Sequence, residues 1–148
     1  MIVISNASPL VALSRISRLD LFQQLFGTLC IPPAVEEEVV TYCPDMHEKR
    51  LLEQALDSFI QTRKPTQHQT FSRNIGAGER GVLNLALDMS PDIVLLDDRK
   101  ARNEARDLGL VPTFTSDALK EAEFQGLIPS YQAILHALYA QKIYLPES

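Results

Sequence analysis

The chain has 148 residues, with 14 Lys and Arg against 19 Asp and Glu, a net charge of −5 and a pI near 5.1. Apolar residues at 45% and charged residues at 22% exclude a disordered or collagen-like chain, and the acidic balance excludes nucleic-acid binding through overall charge, leaving that role to a local basic patch. No apolar run reaches the roughly 18 residues of a membrane span, the opening MIVISNASPLVAL lacks a basic start, and Cys30 and Cys43 make no disulfide framework, so the expectation is a single cytoplasmic domain over residues 1–148 with no membrane contact.

Met1 to Ile4 is a short apolar run of the kind that forms a buried strand. In the SNASP that follows, Ser8 is expected to cap a helix with Pro9 as its first residue. Leu10, Leu13, Ile16 and Leu19 carry helical spacing to about Arg18, Asp20 is expected to cap a second helix, and Gly27 ends it. Thr28 to Ile31 predicts a second strand. Pro32-Pro33 opens a helix through Val35, Glu38 and Val39, and a turn at Cys43-Pro44-Asp45 leads to another helix over Glu48 to Leu56. Phe59 to Thr62 predicts a third strand.

Arg63 to Asn74 is polar and aperiodic, and is expected to be a flexible loop. GAGERGVLNLALDM begins a helix, Ser90-Pro91-Asp92 makes a turn, and Ile93 to Leu96 predicts a fourth strand. Asp97-Asp98 start a helix running to Leu108 and closed by Gly109. LVPTFT carries the last strand, Ser116 to Phe124 a helix, and Ile134, Leu135 and Leu138 mark the final one. Strands alternate with helices and no hairpin signal joins them. That is the pattern of an α/β fold, a mostly parallel sheet covered by helices on both faces.

In such sheets ligands bind at the carboxyl ends of the strands. Ser5-Asn6 and Asp97-Asp98 stand at two such ends, and Thr115 with Asp117 at a third. Glu79, in the first turn of the GAGE helix, and Glu38, one turn after Pro32-Pro33, could join them. Each has an ordinary structural reading. Asp97 or Asp98 can cap a helix, Glu79 suits any first turn through the helix dipole, Glu36-Glu37-Glu38 can be a solvated face, and Asn6 can be a turn residue. Their shared placement at one sheet edge is what points to a site. Two carboxylates about 4 Å apart repel by about 1 kcal/mol in water and about 4 kcal/mol at a protein's effective dielectric. A divalent cation relieves this, and oxygen-only ligands suit Mg²⁺ or Mn²⁺ rather than zinc. Such a site fits phosphodiester hydrolysis. Arg99, Lys100, Arg102 and Arg106 follow at once and form either a phosphate-binding patch or a solvated face beside Glu104 and Asp107.

The strings VISNASPLVALSRI, IPPAVEEEVV, GAGE and LLDDRKARNEARDLGL, in this order, resemble the PIN-domain superfamily, and in particular its small prokaryotic branch of VapC-type toxins. The resemblance covers nearly the whole chain. It implies a three-layer α/β/α sandwich and an Mg²⁺- or Mn²⁺-dependent endoribonuclease cutting single-stranded RNA, the toxin of a toxin–antitoxin pair. The alternative is a catalytically inactive module binding RNA or a partner protein. By the resemblance Asn6, Glu38, Glu79 and Asp98 are the catalytic positions, with Asp97 competing with Asp98. Glu38, Glu79, Asp97 and Asp98 are the metal-ligand set, and Ser8, Arg99, Lys100 and Arg102 the nucleic-acid contacts. A small antitoxin protein and a second copy of the chain are the implied partners. The chain departs from the family in two places: Asn6 is neutral where a carboxylate is usual, and FTSD at Phe114 to Asp117 replaces expected glycines, offering Asp117 as an extra acid.

Overall fold

The computed structural model describes residues 1–147, and every structural statement below concerns these residues. Five short strands, β1 (Val3–Ser5), β2 (Leu29–Ile31), β3 (Ile60–Thr62), β4 (Ile93–Leu95) and β5 (Pro112–Thr113), form one sheet in the order β3-β2-β1-β4-β5. Every pairing is parallel, with Ile4 opposite Cys30 and Val94. A fully parallel sheet must be buried on both faces. β1 and β2 accordingly expose none of their residues. The helices are α1 (Ala7–Arg15), α2 (Asp20–Phe26), α3 (Pro33–Glu36), α4 (Met46–Leu56), α5 (Ala77–Met89), α6 (Arg99–Asp107), α7 (Thr115–Phe124) and α8 (Tyr131–Ala140). The architecture is the three-layer α/β/α sandwich that the alternating pattern predicts. No helix is long and apolar enough to cross a membrane.

The strand order decides where chemistry can occur. The chain builds outward from β1 through β2 to β3, then crosses back to β4 and β5 on the other side of β1. Right-handed crossovers put helices on opposite faces before and after this reversal, and the crevice opens at the carboxyl ends of β1 and β4. Asn6 leaves β1 there, its N–H donating to Leu95 O at 3.1 Å. Pro32 leaves β2, Asp97 follows β4 and Thr115 follows β5 along the same edge.

Several helix boundaries differ from the sequence expectation, each for a local reason. Asn6, not Ser8, occupies the cap position of α1, and Pro9 sits in its first turn. Ser8 is exposed and Asn6 makes no side-chain cap bond. α1 ends at Arg15, and Ser17 takes a left-handed conformation at φ 56°. The cap of α2 is Leu19, with Asp20 as its first helical residue. The helix opened by Pro33 does not run on as α-helix: Glu37–Thr41 is a π-helical turn, closed by the Tyr42 N–H on Glu37 O at 3.2 Å. α7 begins at Thr115, one residue before the expected start, and β5 has two residues only.

The largest correction concerns Arg63 to Asn74, which is not a loose loop. Thr66 donates to Asp88 through its N–H and Oγ1, both at 2.6 Å. The Asn84 amide accepts from Gln69 N–H at 3.0 Å and donates back to Gln69 O. Glu104, 5% exposed, accepts from Ser72 Oγ at 2.8 Å and Arg73 N–H at 2.6 Å, and Arg73 pairs with Asp107 at 2.8 Å. The segment is a strap pinned along α5 and α6. These bonds hold the Glu104 carboxyl below the ordinary range, the Arg73 N–H foremost and Ser72 next. A depressed carboxyl stabilises the fold above its ordinary pKa of 4.5, and that contribution fades as pH falls through the lowered value. Hydrogen exchange is therefore expected to show the Arg73 amide protected at neutral pH, with protection lost on acidification below the ordinary Glu range and in Glu104→Ala at any pH. An Arg73 amide that exchanges freely at neutral pH in the wild type would contradict the strap.

Candidate active site

Glu36, Glu37 and Glu38 go three separate ways, as consecutive residues on a helix must, with Glu36 ending α3 and Glu37 and Glu38 opening the π-helical turn. Glu36 faces the groove beside β3. Glu37 accepts from Tyr42 Oη at 3.0 Å. Glu38 is exposed as a residue, yet its Oε1 turns back against the first turn of α5. A Cβ on Gly78 would lie 2.5 Å from that oxygen and 3.1 Å from Asn6 Oδ1. A widened turn of this kind is common where a helix must re-aim a functional side chain.

Asn6 is 5% exposed, and among the described residues no donor reaches its buried Oδ1. An unsatisfied buried acceptor costs about 1–3 kcal/mol. Glu79, at the third position of α5, folds back so that its Oε2 lies 2.7 Å from where a Gly76 Cβ would stand. Burial pushes the Glu38 carboxyl above the ordinary carboxylate range, the Glu79 charge pushes it the same way, and a hydrogen bond from the Gly78 backbone opposes both. Asn6, Glu38 and Glu79 thus form one oxygen-rich cluster beside the end of β1, carrying two like charges and one orphan acceptor.

The second acidic group behaves differently. Asp98, exposed, caps α6 by accepting from Ala101 N–H at 3.0 Å. Asp97 turns inward and accepts from both Thr115 N–H at 2.9 Å and Thr115 Oγ1 at 2.8 Å. Burial pushes its carboxyl up, the two Thr115 bonds and the Arg102 charge pull it down, and Asp117 raises it again. Arg102 is itself only 5% exposed. Its guanidinium donates to Leu96 O at 3.0 Å and lies 3.4 Å over the Phe114 ring. The expectation that Arg102 faces phosphate is therefore corrected: it is a buried tie between α6, β4 and the start of α7. Arg99, Lys100, Arg106 and Ser8 are exposed, as the patch requires. Sequence reasoning missed Gly78, which the GAGE string signalled, and placed Thr115 at a strand end without its two bonds to Asp97.

The donor set beside β1 fits a hard divalent cation. It offers only oxygens, two of them anionic, and one is a buried carbonyl oxygen without a partner. Among the described residues no three His, Cys, Asp or Glu side chains group closely enough to form a metal site by themselves, so the expected set of Glu38, Glu79, Asp97 and Asp98 is not assembled as one group: Asp97 is engaged by Thr115 and Asp98 caps α6.

Two outcomes follow. Glu38 binds its proton more tightly folded than unfolded, so it subtracts stability as pH rises from 4.5 through the raised value. Without divalent metal, Glu38→Gln is expected to melt higher than wild type near pH 7, the gap closing at about pH 4; a gap independent of pH would mean that ionisation of Glu38, penalised first by burial and then by the Glu79 charge, is not its cause. Arg102→Ala is expected to cost about 2–4 kcal/mol in denaturant unfolding, from the lost buried hydrogen bond and ring contact, against about 0.5 kcal/mol or less for Arg99→Ala. Equal losses would put Arg102 on the surface.

The profile of a family described as PIN domain matches residues 2–148. No curated protein matches the chain. Among solved structures it is similar to a PilT N-terminus domain protein from the hyperthermophilic archaeon Sulfolobus solfataricus P2, with a TM-score of 0.63 at 14% identity, covering 82% of this chain and 93% of that one. At that identity the likeness speaks to the fold, and the fold agrees with the profile. With its parallel five-stranded sheet, its acidic edge at the strand reversal and a profile match from residue 2 to 148, the chain belongs to the PIN-domain family.

Proposed function

We propose that the protein is a metal-dependent endoribonuclease acting on single-stranded RNA. The observation that carries this reading is the buried Asn6 Oδ1, without a partner, bordering with Glu38 Oε1 on the space beside Gly78, with the Glu79 charge acting on Glu38. PIN domains are generally nucleases, and they typically use divalent ions. A bound Mg²⁺ or Mn²⁺ would supply an activated water and charge stabilisation at the leaving oxygen. In this chain Glu38 and Glu79 would hold the ion with Asn6 Oδ1. Asp97, kept in place by Thr115, would orient groups at the neighbouring strand end. Arg99 and Lys100, exposed at the start of α6, would receive phosphates of a strand lying across the edge. The toxin role, a small inhibitory partner and a dimer belong to the same proposal.

A second reading is a PIN module that binds RNA or protein without cutting. The neutral Asn6, which leaves the cluster one charge short, favours it. Metal affinity and cleavage separate the two. Purified protein with Mn²⁺ is expected to cut a fluorescent single-stranded RNA, with activity abolished by chelator and reduced about a hundredfold or more in Glu79→Gln. RNA retained in a binding assay but left uncut, with no calorimetric signal on Mn²⁺ titration, would establish the second reading in place of the first.

A further inference from the structure

Gly78 lies buried inside the first turn of α5, where alanine would be the better helix former. It stands there against local preference. The space its side chain would occupy is already bounded by two oxygens of the cluster, Glu38 Oε1 at 2.5 Å and Asn6 Oδ1 at 3.1 Å from an ideal Cβ. The first distance is one that a real Cβ does not keep, so the exposed Glu38 carboxylate would have to turn away, and the second requires Asn6 to yield by a few tenths of an ångström. Independently, Asn6 Oδ1 is buried without a partner, so the gap kept clear by Gly78 borders on an acceptor that awaits one.

We propose that Gly78 is the positioning residue of this site: by carrying no side chain it lets Glu38 and Asn6 converge on one divalent cation. This rests on the metal-dependent reading above. Gly81, one turn further on, makes a related close approach, its Cβ position lying 3.0 Å from Pro32 Cγ. There the neighbour is an apolar ring. Gly81 therefore sets the spacing of the helices, whereas Gly78 sets the spacing of the ligands.

The test is a calorimetric titration of Mn²⁺ into wild type and Gly78→Ala, with melting temperatures of the metal-free proteins measured alongside in both the wild-type and Glu38→Ala backgrounds. Gly78→Ala is expected to lower Mn²⁺ affinity by about tenfold to a hundredfold, as loss of a group that orients metal ligands does. Its effect on the metal-free melting temperature is expected to be smaller once Glu38 is truncated, because the Cβ then has room. Should Gly78→Ala fail to fold, a folded Glu38→Ala/Gly78→Ala double variant supports the proposal through the same steric coupling. Wild-type Mn²⁺ affinity in a folded Gly78→Ala overturns the proposal alone, as does an equal thermal penalty in both backgrounds. Absence of Mn²⁺ binding by the wild type overturns the metal-dependent reading, and the assignment of Gly78 with it.

Discussion

The close approach of α5 to the start of α3 is the constraint on which the site depends. Gly81 lets Pro32 come to within a methyl's reach of the α5 backbone, and Ala34 follows at 3.8 Å from the same Cβ position. Beyond α3 the chain leaves α5 and packs against α1 and α4. It widens into a π-turn at Glu37–Thr41. There Glu38 lies toward Gly78 and Asn6 while Val35 and Val39 stay in the core.

The carboxyl edge of the sheet carries two acidic groups, both pushed above the ordinary carboxylate range by burial, that differ in their hydrogen bonding. Beside β1, Glu38 and Glu79 repel each other and Asn6 Oδ1 is unpaired, so that group is strained until something cationic joins it. Beside β4, Asp97 is already satisfied by two bonds from Thr115 and by the charge of Arg102, which is itself anchored on Leu96 O and the Phe114 ring. Low local dielectric strengthens a completed network and penalises an incomplete one. The Asp97 oxygens are therefore occupied, and the open acceptor lies beside β1. The neutral Asn6 fits this division, since a third carboxylate beside Glu38 and Glu79 would add repulsion to a cluster that has no arginine of its own.

The strap from Arg63 to Ile75 completes the support of α5. It crosses from β3 toward the start of that helix and is fixed by Asp88 and Asn84 on α5 and by Glu104 and Asp107 on α6. Arg80 closes it by donating to Ile75 O at 2.6 Å, just before Gly76. The N-terminus of α5, with Gly78 and Glu79, is thus held from both sides, by the strap on one and by Pro32 on the other. A site whose ligands come from separate helices requires such fixed supports to keep its geometry.

The sequence by itself determined the succession of elements, because apolar runs, prolines and glycines act locally. Gly27 and Gly109 take positive φ where the helices were expected to end, Pro33 opens α3, and the absence of hairpin turns gave parallel strands. From that alone it followed that Asn6 and Asp97-Asp98 reach one edge. Membership of the PIN family was legible for the same reason, since its strings are local. Tertiary structure alone decided the orientations. The resemblance singled out Glu38, but the π-turn that carries it, packed on α1 and α4, and its approach to Gly78 and Asn6 appear only in the fold. The inward turn of Arg102, one of four basic residues in that stretch, depends on Phe114 beyond the next strand. The fixing of a polar, aperiodic loop depends on acceptors 15 to 34 residues away along the chain. Periodicity records what a residue's near neighbours favour; the direction of a side chain at a crowded helix crossing is set by atoms that only folding brings within reach.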